Sequence, residues 1–190
     1  MLRYLMLLLV IACSVPDIES AQVGDVVDTE VMEESVMEDV TVEEIAAVGD
    51  NEQELSATFE FEGYAPGKSH TGTFDMFSVV GMKTSEGITS AKAVFDASSV
   101  NTGIAGLDSH LKNEDFFDVE QYPLITVEIT EVGTDSVTSF ISFHGVSREV
   151  VFPANVSADM ITADFLLDTE PFNMKYTGVD QNVRIAFTVQ

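Results

Sequence analysis

Tryptophan is absent from the 190 residues, and cysteine occurs once, at Cys13. A lone thiol excludes an intrachain disulfide and any multi-cysteine metal motif. Basic residues are scarce as well: eight Lys and Arg stand against 33 Asp and Glu, for a formal charge of −25. Such a surface repels nucleic-acid phosphates and anionic lipid headgroups, which argues against a nucleic-acid partner. The three histidines, His70, His110 and His144, are scattered without ligand spacing, so no metal site is expected. Long apolar runs are missing too. The leading stretch MLRYLMLLLVIACS falls well short of the roughly 20 apolar residues that span a bilayer as a helix.

That stretch reads instead as a targeting segment, with Arg3 as a minimal positive region and Leu5 to Ile11 as the apolar core. Its ending, VIAC, resembles a bacterial lipobox, which makes residues 1–12 a lipoprotein signal peptide and Cys13 the acylated N-terminus of the mature chain. An ordinary secretory leader cut near Ala21 is the alternative. Ser14 after the cysteine, where an Asp would retain a lipoprotein, permits transfer to the outer membrane of a Gram-negative cell. The expected location is therefore the periplasmic side of a bacterial envelope, with the chain held to the membrane through Cys13.

Residues 14–54 hold fourteen Asp or Glu and no Lys or Arg. Like charges crowd every turn and oppose an isolated helix, so 13–54 is expected to be a largely disordered acidic tether. A docking segment for a basic partner is the alternative.

From Leu55 to the end at Gln190 the period changes to two, the mark of half-buried strands. LSATFEFEG puts Phe59 and Phe61 on one face, and TGTFDMFSVVGM continues with Phe74 and Met76, though Phe77 blurs the phase. SAKAVFDAS offers Ala93 and Phe95. LITVEITEV is the cleanest run, setting Ile125, Val127 and Ile129 against Thr126, Glu128 and Thr130. Ile141, Phe143, Phe152, Phe165, Leu167, Ile185 and Phe187 extend the apolar set. About eight antiparallel strands result, each with one apolar face, and a sheet of that size hides the face by closing into a barrel or splitting into two layers. An eight-stranded barrel is just wide enough to be filled by side chains or to hold one slender ligand. Alternation alone does not choose between them.

GLDSHLKNEDFFDVEQYP, residues 106–123, breaks the strand pattern. Asp108 stands where an N-cap would, and Leu111 with Phe116 or Phe117 can share one helical face. Pro123 stops a helix and suits a strand entry. The stretch reads as a short helix or pair of turns pinned to the sheet. Asp108 and His110, two residues apart, point to different helical faces, and no nucleophile elbow is present, so no catalytic residue is expected. His144, beside Gly145, is expected to be a hydrogen-bonded structural histidine.

The run SSVNTGIAGLDSHLKNEDFFDVEQYPLITVEI, followed by SFISFHGVSREVVFPANV, resembles the YceI-like family of bacterial envelope proteins. Matching steps are Thr102-Gly103, Asp108-Ser109-His110-Leu111, Asp115-Phe116-Phe117-Asp118, Tyr122-Pro123 and HGVSREV at 144–150. The resemblance covers residues 55–190 and implies a lipocalin-like antiparallel barrel around a long apolar molecule, typically a polyisoprenoid such as a quinone. The apolar set above, with Leu111, Phe116 and Phe117, then becomes the lipid-contacting wall. Asp108, His110, Asp115, Tyr122 and Pro123 belong to a lid. Two departures stand out: Leu107 replaces an Arg usual before the Asp, and EPFNMKYTG lacks the Arg and Gly of the family's late strand. The expected function is non-catalytic binding, storage or transport of an isoprenoid-type lipid, with no cofactor beyond such a ligand. The alternative is a barrel with a filled core that binds protein partners through its acidic surface.

Overall fold

The period-two segments become strands in a computed structural model that describes residues 18–26, 51–174 and 176–190. The leader, Cys13 and residues 27–50 lie outside the described residues. In chain order the strands are β1 (Gln22–Val26), β2 (Gln53–Glu54), β3 (Ala57–Ala65), β4 (Lys68–Phe74), β5 (Phe77–Thr84), β6 (Gly87–Asp96) and β7 (Val100–Asn101). The helix α1 (Ala105–Leu111) intervenes. Then follow β8 (Leu124–Val132), β9 (Ser136–Phe143), β10 (Val146–Pro153), β11 (Asn155–Val156), β12 (Ile161–Asp168) and β13 (Asn182–Val189).

They pair antiparallel into a seven-stranded sheet, β1-β10-β9-β8-β6-β5-β2, and a six-stranded sheet, β11-β12-β13-β3-β4-β7. The apolar faces turn toward each other. The architecture is the expected all-β, lipocalin-like antiparallel barrel with a short helical plug. One difference is that among the described residues no continuous ladder closes the ring, so the two seams are sealed in other ways. At one seam the chain crosses between sheets: β2 leaves β5 and becomes β3, with the Leu55 amide donating to the Val79 carbonyl at 2.9 Å and Ser56 exchanging bonds with Gln190. There β6 likewise continues, through a turn of 3-10 helix at Ala97–Ser99, into β7 on β4.

The other seam, between β10 and β12, is covered by the first described residues. β1 pairs with β10, Gln22 opposite Val151 and Val23 opposite Val150. Just before it the Ala21 amide donates to the Leu166 carbonyl at 2.8 Å, and the Leu166 amide to the Glu19 carbonyl at 3.0 Å. Residues 19–26 thus correct the reading of an unbroken tether over 13–54: this part is a barrel stave, because the open edge of β10 supplies partners that the local sequence does not advertise.

Phase explains a second difference. Phe74 and Phe77 both face inward, because the chain bends at Asp75 and Met76 between them. The bend is fastened by the Asp75 amide to the Ser99 carbonyl and the Met76 amide to Ser99 Oγ, each at 3.0 Å. Met76 is consequently 54% exposed and turns away from the interior, against the expectation from alternation.

β9 and β10 join through two residues with positive φ, His144 at 49° and Gly145 at 73°. That geometry matches the twist of the strands and favours Gly at the second position. Gly145 also admits a neighbour: a Cβ there would lie 2.5 Å from the Tyr122 ring.

Candidate functional site: an apolar cavity under a helical plug

The inward side chains do not fill the barrel. A cavity of about 470 Å³ remains between the sheets, within the range of small-molecule sites. Each residue expected in a lipid-contacting wall lines it, Met76 excepted. Phe59 and Phe61 come from β3, Phe74 from β4 and Phe95 from β6. Ile125, Val127 and Ile129 come from β8, Ile141 and Phe143 from β9, Phe152 from β10, Phe165 and Leu167 from β12, and Ile185 and Phe187 from β13. Leu111, Phe116 and Phe117 reach it from the plug.

The plug is built from turns. Helix α1 starts after Ile104, which offers no capping side chain. Asp108 is not the N-cap expected from the sequence. It lies inside the helix and reaches back, accepting from the Thr102 amide at 2.8 Å and the Thr102 hydroxyl at 2.6 Å. Those two bonds, the hydroxyl first, hold its carboxyl below the ordinary value. After Leu111 the chain coils tightly, with the Phe117 amide on the Leu111 carbonyl and the Tyr122 amide on Asp118.

Coiling separates the Phe-Phe pair. Phe117 drops into the barrel against Phe61, Phe74 and Phe143, with ring centroids 5.6 to 6.4 Å apart. Phe116 turns to a rim cluster with His110, at 5.0 Å, and Tyr176, at 4.7 Å. Tyr122 lies on the β9–β10 turn, its ring 5.1 Å from His144, and the Pro123 carbonyl accepts from the Ala97 amide. Asp115 is exposed. So Tyr122-Pro123 and the HGVSREV turn, far apart in sequence, form one contact that seats the plug.

Neither imidazole nitrogen of His144 has a hydrogen-bond partner, although both are buried. The hydrogen-bonded histidine expected at this position is thus replaced by one held through the Tyr122 and Phe143 rings. Asp108 and His110 do not meet: one is bonded to Thr102, the other sits among rings. Among the described residues no three His, Cys, Asp or Glu side chains gather as metal ligands.

Outside the mouth, Arg184 of β13 binds Asp164 of β12 through two bonds of 2.7 Å and lies 3.6 Å from Glu62 of β3. The guanidinium lowers the Asp164 carboxyl. Glu62 is lowered first by its bond with Ser69, and Tyr64 donates to it at 3.1 Å. This cluster ties three strands together beside the opening.

Sequence reasoning missed several lining residues. Phe77 and Val79 escaped because of the bend, and Tyr176, Val179 and Gln181 because they lie in a loop without periodicity. Lys68 and His70 were readable, since they hold the same parity as Phe74 on β4.

Fold and cavity together define a class: a lipocalin-like antiparallel barrel with an apolar interior. The chain belongs to the YceI-like domain family, whose model matches residues 47–190. It is similar to UPF0312 protein SA2479 of Staphylococcus aureus (strain N315), 32% identical over 83 residues, which are 43% of this chain and 48% of that protein. The chain thus matches about half the length of this curated relative. Among solved structures it resembles Burkholderia cenocepacia BcnA, with a TM-score of 0.63 at 19% identity, covering 70% of this chain and 94% of that one. It also resembles a polyisoprenoid binding domain from Saccharophagus degradans implicated in plant cell wall breakdown, with a TM-score of 0.57 at 17% identity, covering 73% and 96%. At those identities the likeness concerns the fold. The family match begins after β1, so the stave at the β10–β12 seam lies outside the matched residues.

Proposed function

We propose that this protein binds a long apolar lipid of the polyisoprenoid or quinone type in its barrel, without catalysing a reaction on it. Acylated Cys13 would hold it on the periplasmic side of a bacterial envelope. The observation that carries the reading is the 470 Å³ cavity with its wall of Phe, Ile, Val and Leu. Transfer of an apolar tail from water into such a space is favourable by roughly 25 cal/mol per Å² of buried surface, before ordering costs. The family membership and the polyisoprenoid binding domain among the similar folds support the same class of ligand. Cys13 stands six residues before Glu19 in the sequence, so acylation there would hold the barrel close to the membrane.

The test is a fluorescence titration of the mature chain without its acylated Cys13, residues 14–190, with N-phenyl-1-naphthylamine, a neutral apolar dye, followed by organic extraction and mass spectrometry. Saturable one-to-one dye binding that geranylgeraniol reverses, or a stoichiometric isoprenoid in the extract, is expected. No dye binding together with a clean extract would sink the reading.

A further inference from the structure

The cavity wall changes character along one strand. On β4 the inward positions run Phe74, Gly72, His70 and Lys68, and register sets His70 opposite Gly63 and Lys68 opposite Ala65 on β3. Apolar surface gives way to an imidazole and an ammonium group just where the barrel opens, beside two residues too small to cover them. His110 joins from the plug, and all three line the cavity.

Their lack of partners is the second observation. It is shared by Lys92 and Lys112, so position at the cavity mouth is what sets Lys68 apart among the described lysines. Lys83 pairs with Asp159 at 3.7 Å and Arg184 with Asp164, while Arg148 donates to the Pro171 and Gly24 carbonyls. Among the described residues Lys68, His70 and His110 make no side-chain hydrogen bond and no ion pair. The acid beside them at the opening, Asp180, is engaged: its carboxylate accepts from the Asn182 amide and side chain at 2.9 and 3.1 Å. The rim therefore offers unused positive and donor groups above an apolar chamber.

We infer that the mouth binds an anionic head group, a phosphate or a carboxylate, on the lipid whose tail occupies the cavity. The inference rests on the lipid-binding reading above and adds a requirement on the ligand: an acidic amphiphile is preferred over a neutral one with the same tail. Lys68 acts as a point charge on the head. The imidazoles of His70 and His110 donate to its oxygens, while Tyr64, Thr102 and Gln181 at the same rim are already bonded to Glu62, Asp108 and the Tyr176 carbonyl. An anion beside an apolar wall is costly unless it is paired, and a charge-assisted bond is about twice as strong as a neutral one. The surrounding carboxylates repel free anions at a distance. Selection thus falls on ligands whose tails bring the head into contact.

The test displaces N-phenyl-1-naphthylamine from the mature chain with pairs of competitors that share a tail. Geranylgeranyl monophosphate is compared with geranylgeraniol, and palmitate with hexadecanol. The anionic member of at least one pair should displace the dye at about tenfold lower concentration. In a K68Q/H70Q variant that gap should close, the anionic member of each pair losing more than its alcohol. A gap in the first pair alone identifies a phosphate head, in the second alone a carboxylate. Alcohols that compete as well as their anionic partners, or a gap that survives the double substitution, would overturn the inference and leave the cavity standing. If the dye binds but no competitor displaces it, both the head-group assignment and the lipid reading fall. Lys68 is exposed, so loss of fold does not confound its replacement.

Discussion

Two walls of the barrel follow the same alternation and meet opposite fates. On β9, β10 and β12 the inward side chains are packed away: Val137, Ser139, Ile141, Val150, Phe152, Ile161, Phe165 and Leu167 are all under 8% exposed. Both walls border the cavity, Ile141, Phe152, Phe165 and Leu167 included, yet on β3 and β13 the inward residues Phe59, Phe61, Val183, Ile185 and Phe187 stay only half-buried. The packed wall flanks the β10–β12 seam, where Ala21 and Val23 of the stave press on the core. The open wall carries Gly63 and Ala65 toward the mouth. Stability is therefore concentrated on one side of the barrel and capacity on the other, and substitutions on the two sides should separate these properties.

Phe165→Ala should have the largest effect. Phe165 lies parallel to Phe152 with centroids 4.6 Å apart, 2% exposed, and the pair bridges β10 and β12 behind the stave. Truncation should cost about 3–5 kcal/mol, since it removes a buried aromatic ring and its stacking partner's contacts and leaves a void. Urea unfolding of the mature chain measures this. A loss near that of a half-buried lining residue would mean that the two walls are energetically alike and the comparison is empty.

How much of this asymmetry was legible beforehand follows from what alternation encodes. The period-two pattern specifies which side chains turn inward, and so located the β8, β12 and β13 lining residues. It says nothing of whether facing side chains meet, which depends on the separation of the sheets, so Phe165 and Phe187 looked equivalent in sequence. Met76 was misplaced because a bend shifts the phase by one residue, and the signal for it, a bond from its amide to Ser99 Oγ, lies 23 positions away. The stave QVGDV carries too little apolar pattern to announce a strand within an acidic run, and its strand state depends on the open edge of β10. In the plug, residue types were readable but partners were not: Asp108 caps nothing forward and binds Thr102 behind it.

Gly63→Leu should act on capacity with little effect on stability. A Cβ at Gly63 would meet nothing within 4 Å, so the new side chain extends into the opening without a clash. Replacing a strand glycine also removes a backbone entropy cost of roughly 0.5–1 kcal/mol, so the melting temperature should hold or rise slightly. Dye binding should weaken at least about tenfold as the leucine occupies the entrance, a loss of about 1.4 kcal/mol in affinity. Unchanged binding with unchanged stability would show that ligand does not pass or occupy the space beside Gly63.

The smallest expected effect concerns the plug that closes the hollow side, and it should appear as a dependence on pH. The Asp108 carboxyl is held below its ordinary value of 3.8 by the Thr102 hydroxyl and amide. A carboxyl lowered in the folded protein contributes stability that is fully present above its unfolded value and is lost as pH falls through the lowered one. At neutral pH Asp108→Asn should therefore melt slightly below the parent, since an amide oxygen accepts the two Thr102 bonds more weakly than a carboxylate. Below pH 3.8 the difference should shrink toward zero, because the parent then also carries a neutral group at position 108. Asp115→Asn, at an exposed site in the same plug, is the control and should show no such convergence. A difference between Asp108→Asn and the parent that persists unchanged into acid would place the role of Asp108 in shape and not in charge, and the plug would then be seated by Phe117 and Tyr122 alone.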